Sequence, residues 1–180
     1  MPEAPELRTE AYQALLDGPI RKAYLHALYL EPSSTSLLID LYIRPTTSAT
    51  PVQAALLRQL RRAAEAEILK ATPGAAAVDA EQIYSDAREA LDALETALAS
   101  SPGAWFWGAE DPTFFDASVF AYTGLLIGGG AAFSLWPDVA RQPSALRAAI
   151  EASPIARLRE HQSRLWDVLQ TDLGPAAALG

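Results

Sequence analysis

Apolar positions along the chain recur at spacings of three and four, and no long alternating run interrupts them, so the pattern predicts an all-helical domain. The clearest stripe is Ile83, Ala87, Leu91, Leu94 and Leu98, which puts one apolar face on a helix opened by Asp79 and closed at Ser100-Ser101-Pro102-Gly103. A first helix is predicted from Thr9 to Leu30, with Leu15, Leu16, Ile20, Tyr24 and Leu28 near one face and Gly18-Pro19 marking a kink or a break. Ser36–Ile43 is the most strand-like piece, and its place between helices makes helix the expectation. Thr50-Pro51 supplies an N-cap followed by proline for a helix reaching Lys70, and Ala71-Thr72-Pro73-Gly74 then breaks the chain. Ser153-Pro154 opens a last helix with Leu158, Leu165, Trp166 and Leu169 inward, after a short helix near Pro137–Glu151. The expected organisation is a tail at 1–8, one helical domain at 9–172 with a flexible linker near 71–79, and a tail at 173–180.

The longest uncharged run follows Asp116, and Thr113-Phe114-Phe115-Asp116 has the spacing of a capping box. In that motif the N-cap hydroxyl accepts from the third residue's N–H while the acidic side chain reaches back. Thr113 and Asp116 are therefore expected to serve the helix itself. Ala117–Trp136 is about long enough to span a bilayer. Gly128–Gly130 interrupts it, Asp116 and Asp138 bracket it, and no basic flank anchors it, so a buried core helix followed by a close turn is expected.

Composition narrows the classes of partner. The chain has 180 residues, 22 acidic against 14 basic, and a net charge of −8, a field that repels nucleic acid and anionic lipid. With no cysteine there is neither a disulfide nor a thiolate nucleophile or ligand. His26 and His161 stand far apart without an acidic partner at metal-ligand spacing, so structural or surface roles are expected. No catalytic set, cofactor motif or metal site is predicted. The start, MPEAPELRTE, resembles neither a secretory signal nor a transit peptide. Arg58, Arg61 and Arg62 form one basic cluster and Arg157, Arg159 and Arg164 another. Each reads either as a solvated face or as a docking patch for an acidic partner. Trp105 and Trp107 likewise read as packing over the end of the capped helix or as interface anchors.

The block WFWGAEDPTFFDASVFAYTGLL resembles the signature of the metaxin family and its fungal counterparts, through Trp105, Phe106, Trp107, Gly108, Pro112, Thr113, Asp116, Ala117, Val119, Phe120, Tyr122, Leu125 and Leu126. Ala11–Pro32 and the segment RLREHQSRLW resemble that family's first and closing C-domain helices. The resemblance implies a glutathione-transferase C-terminal-like helical bundle, the helical half only, without the thioredoxin-like half that precedes it in metaxins. It implies a non-enzymatic subunit of the sorting and assembly machinery on the cytosolic face of the mitochondrial outer membrane. Such a subunit is held there peripherally by a membrane β-barrel core subunit and other accessory subunits, and it assists the recognition, insertion and release of β-barrel precursors. The competing expectations are a glutathione-transferase-like enzyme fragment and a cytosolic helical adaptor.

Overall fold

The computed structural model describes residues 5–127 and 154–173, which are mostly helical, with no strand among them. A nearly continuous helical rod comes first, made of α1 (Pro5–Leu15), a π-helical turn (Leu16–Ile20), α2 (Arg21–Leu25) and a second π-helical turn (His26–Leu30). The helix begins at Pro5, within the stretch expected to be a tail. Pro19 has no N–H to give to the preceding turn, and the rod accommodates it by widening: the Arg21 N–H reaches back to the Leu16 carbonyl. The second wide turn closes with the Glu31 N–H on the His26 carbonyl at 3.1 Å, and Glu31 then turns extended and ends the rod. These added residues rotate the buried stripe, which runs through Leu16, Ile20, Ala23 and Leu28, while Leu15 and Tyr24 are only partly covered.

After a single turn of 3-10 helix (Pro32–Ser34), α3 (Thr35–Leu38) and a third π-helical turn (Ile39–Ile43) make Ser36–Ile43 helical. The next helix, α4 (Thr50–Lys70), is capped by Ala49 with no side-chain cap bond, so Thr50 is the first helical residue and not the N-cap expected for it. The helix entry is tied instead by Gln53, whose N–H meets the Ala49 carbonyl at 3.0 Å and whose side chain meets the Thr47 carbonyl at 2.9 Å. A non-helical linker leads to α5 (Ala80–Ala99), where Asp79 Oδ1 accepts from the Gln82 N–H at 3.1 Å.

α5 is the central element. Ile83, Tyr84, Ala87, Ala90, Leu91, Leu94, Ala97 and Leu98 are buried along it. They share one core with the first rod and with α6 (Phe114–Ile127) and α7 (Ala156–Leu173). Burying such a stripe is the main force ordering the helices, at about 25 cal/mol per Å² of apolar surface. Glu95 of α5 also secures α7, accepting from the Arg157 and Leu158 N–H groups at 2.9 and 2.8 Å and so occupying two of the four orphan donors at that helix start. No helix among the described residues is long and apolar enough to cross a membrane. The close turn at Gly128–Gly130 and the helix near Pro137–Glu151 lie outside the described residues, as does most of the tail from 173.

Candidate functional site

The segment from Trp105 to Asp116 folds as one knot. Its bend is a 3-10 turn (Phe106–Gly108) in which Trp107 takes a left-handed backbone, φ 63°, the one such non-glycine among the described residues. Gly108 follows at φ 75°, and a Cβ there would come within 2.7 Å of the Pro102 ring, so glycine is required by both backbone angle and space. Trp107 is fixed from several sides. Its N–H donates to Ser101 Oγ at 3.0 Å, its ring stacks on Phe115 at 5.7 Å and meets the edge of Tyr12 at 5.2 Å, and Arg8 lies 5.4 Å over it.

Asp116 stands at the centre and is wholly buried. Its Oδ2 accepts from the Thr113 N–H at 2.8 Å and the Thr113 hydroxyl at 2.5 Å, while its own N–H points at Thr113 Oγ1 at 3.3 Å. That is the reciprocal geometry of a capping box. Its Oδ1 leaves the helix altogether, accepting from the Phe106 N–H at 3.0 Å and from His161 Nε2 at 2.9 Å. Burial alone would raise the Asp116 pKa. The hydrogen bonds from His161, from Thr113 and from the Phe106 amide outweigh it and hold the carboxyl below the ordinary carboxylate value.

An aspartate on a histidine is the orienting half of many general-base sites. Here His161 spends Nε2 on Asp116, is itself 1% exposed, and is walled by the edges of Trp105 at 5.6 Å and Phe106 at 5.4 Å. The arrangement ties the bend, α6 and α7 together through one carboxylate. Sequence spacing gave His161 no acidic partner; the packing supplies one that lies 45 residues away.

A second polar cluster is built where the rod ends. Tyr84 of α5 donates its hydroxyl to Glu31 Oε1 and is met by His26 Nδ1 at 2.6 Å, with Ser33 Oγ on Glu31 Oε2 at 3.1 Å. With the phenol proton on Glu31, the Tyr84 oxygen accepts from a His26 Nδ1–H. Burial, and then the hydrogen bond and charge of Glu31, push the Tyr84 pKa up, so the phenol stays protonated. Burial lowers the His26 pKa, against the attraction of Glu31. Both wide-turn geometry and a contact across more than fifty residues make this cluster, which no local motif announces.

The basic residues divide. Arg61 is turned inward, its Nε on the Tyr29 carbonyl at 3.2 Å and its Nη2 on Thr35 Oγ1 at 2.6 Å, tying α4 to the rod. Arg58 and Arg62 are exposed one turn apart. Arg164 pairs with Glu160 along α7, and Arg159 donates to the Ile127 carbonyl. Of the tryptophans, Trp105 is buried and Trp107 half-buried. Among the described residues no group of three His, Asp or Glu side chains is placed to hold a metal ion.

Two downward shifts each tie stability to pH. The folded His26 binds its proton less readily than an unfolded histidine, so stability is full above about pH 6.5 and declines as pH falls below it. The folded Asp116 loses its proton more readily than an unfolded aspartate, so its contribution is present above about pH 4 and fades as pH falls through its depressed value. Urea midpoints measured from neutral pH downward are expected to fall in two stages, and His26→Gln is expected to remove the first alone.

No protein-family model matches the chain, and no curated protein sequence matches it.

Proposed function

We propose that the chain is a non-catalytic docking subunit that works through its surface, of the kind the metaxin resemblance implies. The observation that carries this reading is the commitment of Asp116 to donors of its own chain: the most enzyme-like carboxylate of the sequence is consumed in holding the signature block together. The tryptophans, Gly108 and Thr113 of that block serve the same knot, which makes it a rigid platform on a glutathione-transferase C-terminal-like bundle. The setting proposed is the cytosolic face of the mitochondrial outer membrane, where the subunit is held peripherally and assists the recognition, insertion and release of β-barrel precursors.

The test is purification from gently solubilised membranes followed by mass spectrometry, with carbonate extraction in parallel. A membrane β-barrel is expected to co-purify, and alkaline carbonate to release the chain from the mitochondrial pellet. Recovery of the chain in the soluble fraction before extraction, with no β-barrel beside it, would leave a cytosolic adaptor in its place.

A further inference from the structure

The knot holds its own helix start in an unusual way for a globular surface. Phe114, the first residue of α6, is 89% exposed, the most exposed of the large apolar side chains among the described residues. Its backbone is not free to retract it. Thr113 before it and Asp116 after it are clamped by the capping box, and its neighbour Phe115 is buried against Phe106 and Trp107. An aromatic ring presented from a fixed backbone loses little conformational freedom on binding, which is the property of an interface anchor. One and two turns along the same face, Ala117 and Ala121 are exposed and small, so a partner segment can lie close to the helix beyond the ring. Glu110 and Asp111, both exposed, precede the anchor by a few residues and give this end of the helix a negative rim.

We infer that the Phe114 face of α6 is the docking surface, and that its partner is a basic amphipathic protein segment whose apolar side covers Phe114, Ala117 and Ala121 while its lysines or arginines meet Glu110 and Asp111. This rests on the docking reading and names its surface. The charges decide between occupants. A second copy of the chain would set two acidic rims against each other, and an anionic lipid surface would meet the same rim within a chain of net charge −8.

The test uses the full chain and two synthetic helical peptides with the same leucine-rich face, one bearing lysines and the other glutamates on the opposite face, titrated calorimetrically at low salt. The lysine peptide is expected to bind about tenfold tighter or more, and Phe114→Ala to weaken it by about tenfold with an unchanged unfolding midpoint. Joint Glu110→Lys and Asp111→Lys replacement is expected to reverse the preference. Equal affinity for both peptides, or no loss in Phe114→Ala, overturns the inference. So does a dimer in sedimentation that Phe114→Ala abolishes, or capture by phosphatidylcholine–phosphatidylserine vesicles that depends on Phe114. A β-barrel that co-purifies undiminished with Phe114→Ala refutes this surface while leaving the docking reading in place.

Discussion

Replacing Asp116 with alanine is expected to cost about 3–5 kcal/mol of folding stability, the range for breaking a buried hydrogen-bonded pair, against about 0.5–2 kcal/mol for losing a helix cap alone. The larger figure follows from what the substitution strands. Thr113 would lose the acceptor for its N–H and hydroxyl, but it sits near the surface and water can replace part of that. The Phe106 N–H and His161 Nε2 lie among the rings of Trp105, Phe106 and Phe115, and among the described residues both give their hydrogen bond to Asp116 Oδ1. Each buried donor left unpaired costs about 1–3 kcal/mol. For a domain of this size the thermal midpoint is expected to drop by roughly 6–20 °C. Urea unfolding followed by both circular dichroism and tryptophan fluorescence measures it, and a loss under about 1 kcal/mol would reduce Asp116 to a cap. Asp116→Asn keeps the shape and one acceptor oxygen, and is expected to fall between the two.

Tyr84→Phe is expected to cost about 1–3 kcal/mol, although it removes one oxygen atom and leaves the ring in the core. Glu31 is 8% exposed and would lose the phenol proton that satisfies it, keeping Ser33, while the His26 Nδ1–H would lose its acceptor. A double-mutant cycle separates this network from simple packing. If the cost comes from the stranded carboxylate, Glu31→Leu combined with Tyr84→Phe should be milder than the sum of the two, by about 0.5 kcal/mol or more. Additive losses would mean that the hydroxyl and the carboxylate do not depend on each other. The site is also the joint between the rod and α5, so hydrogen exchange of the His26–Leu30 amides is expected to quicken in the single variant before the rest of the core is affected.

The two sites differ in how far the sequence announces them. Thr113 and Asp116 are three residues apart, and a helix brings such positions together whatever surrounds it, so half of the Asp116 hydrogen bonds are legible from spacing. The other half reach Phe106 and His161, which no periodicity links to Asp116. The rod shows the same division. Pro19 marks an irregularity in advance, but the wide turns that absorb it also shift the inward face, which is why Ala23 is buried and Leu15 is not. Thr50 misleads for a related reason: a hydroxyl before proline suits an N-cap, yet the entry is held by Gln53, leaving Thr50 inside the helix. The arginines are the plainest case, since three neighbours in sequence divide into one internal tie and two exposed cations according to which side of α4 meets the rod.

By itself the sequence determined the helical class, the apolar stripe of α5, the capped start of α6 and the absence of cysteine chemistry. All of these follow from residue type and from spacings that a single helix converts into contacts. Only the tertiary structure decided that Asp116 clasps three segments, that Tyr84 joins His26 to Glu31, that Glu95 caps a helix sixty residues on, and that Phe114 faces solvent. Those facts depend on how helices cross, and crossing is fixed by the fit of whole buried surfaces rather than by any local run of residues.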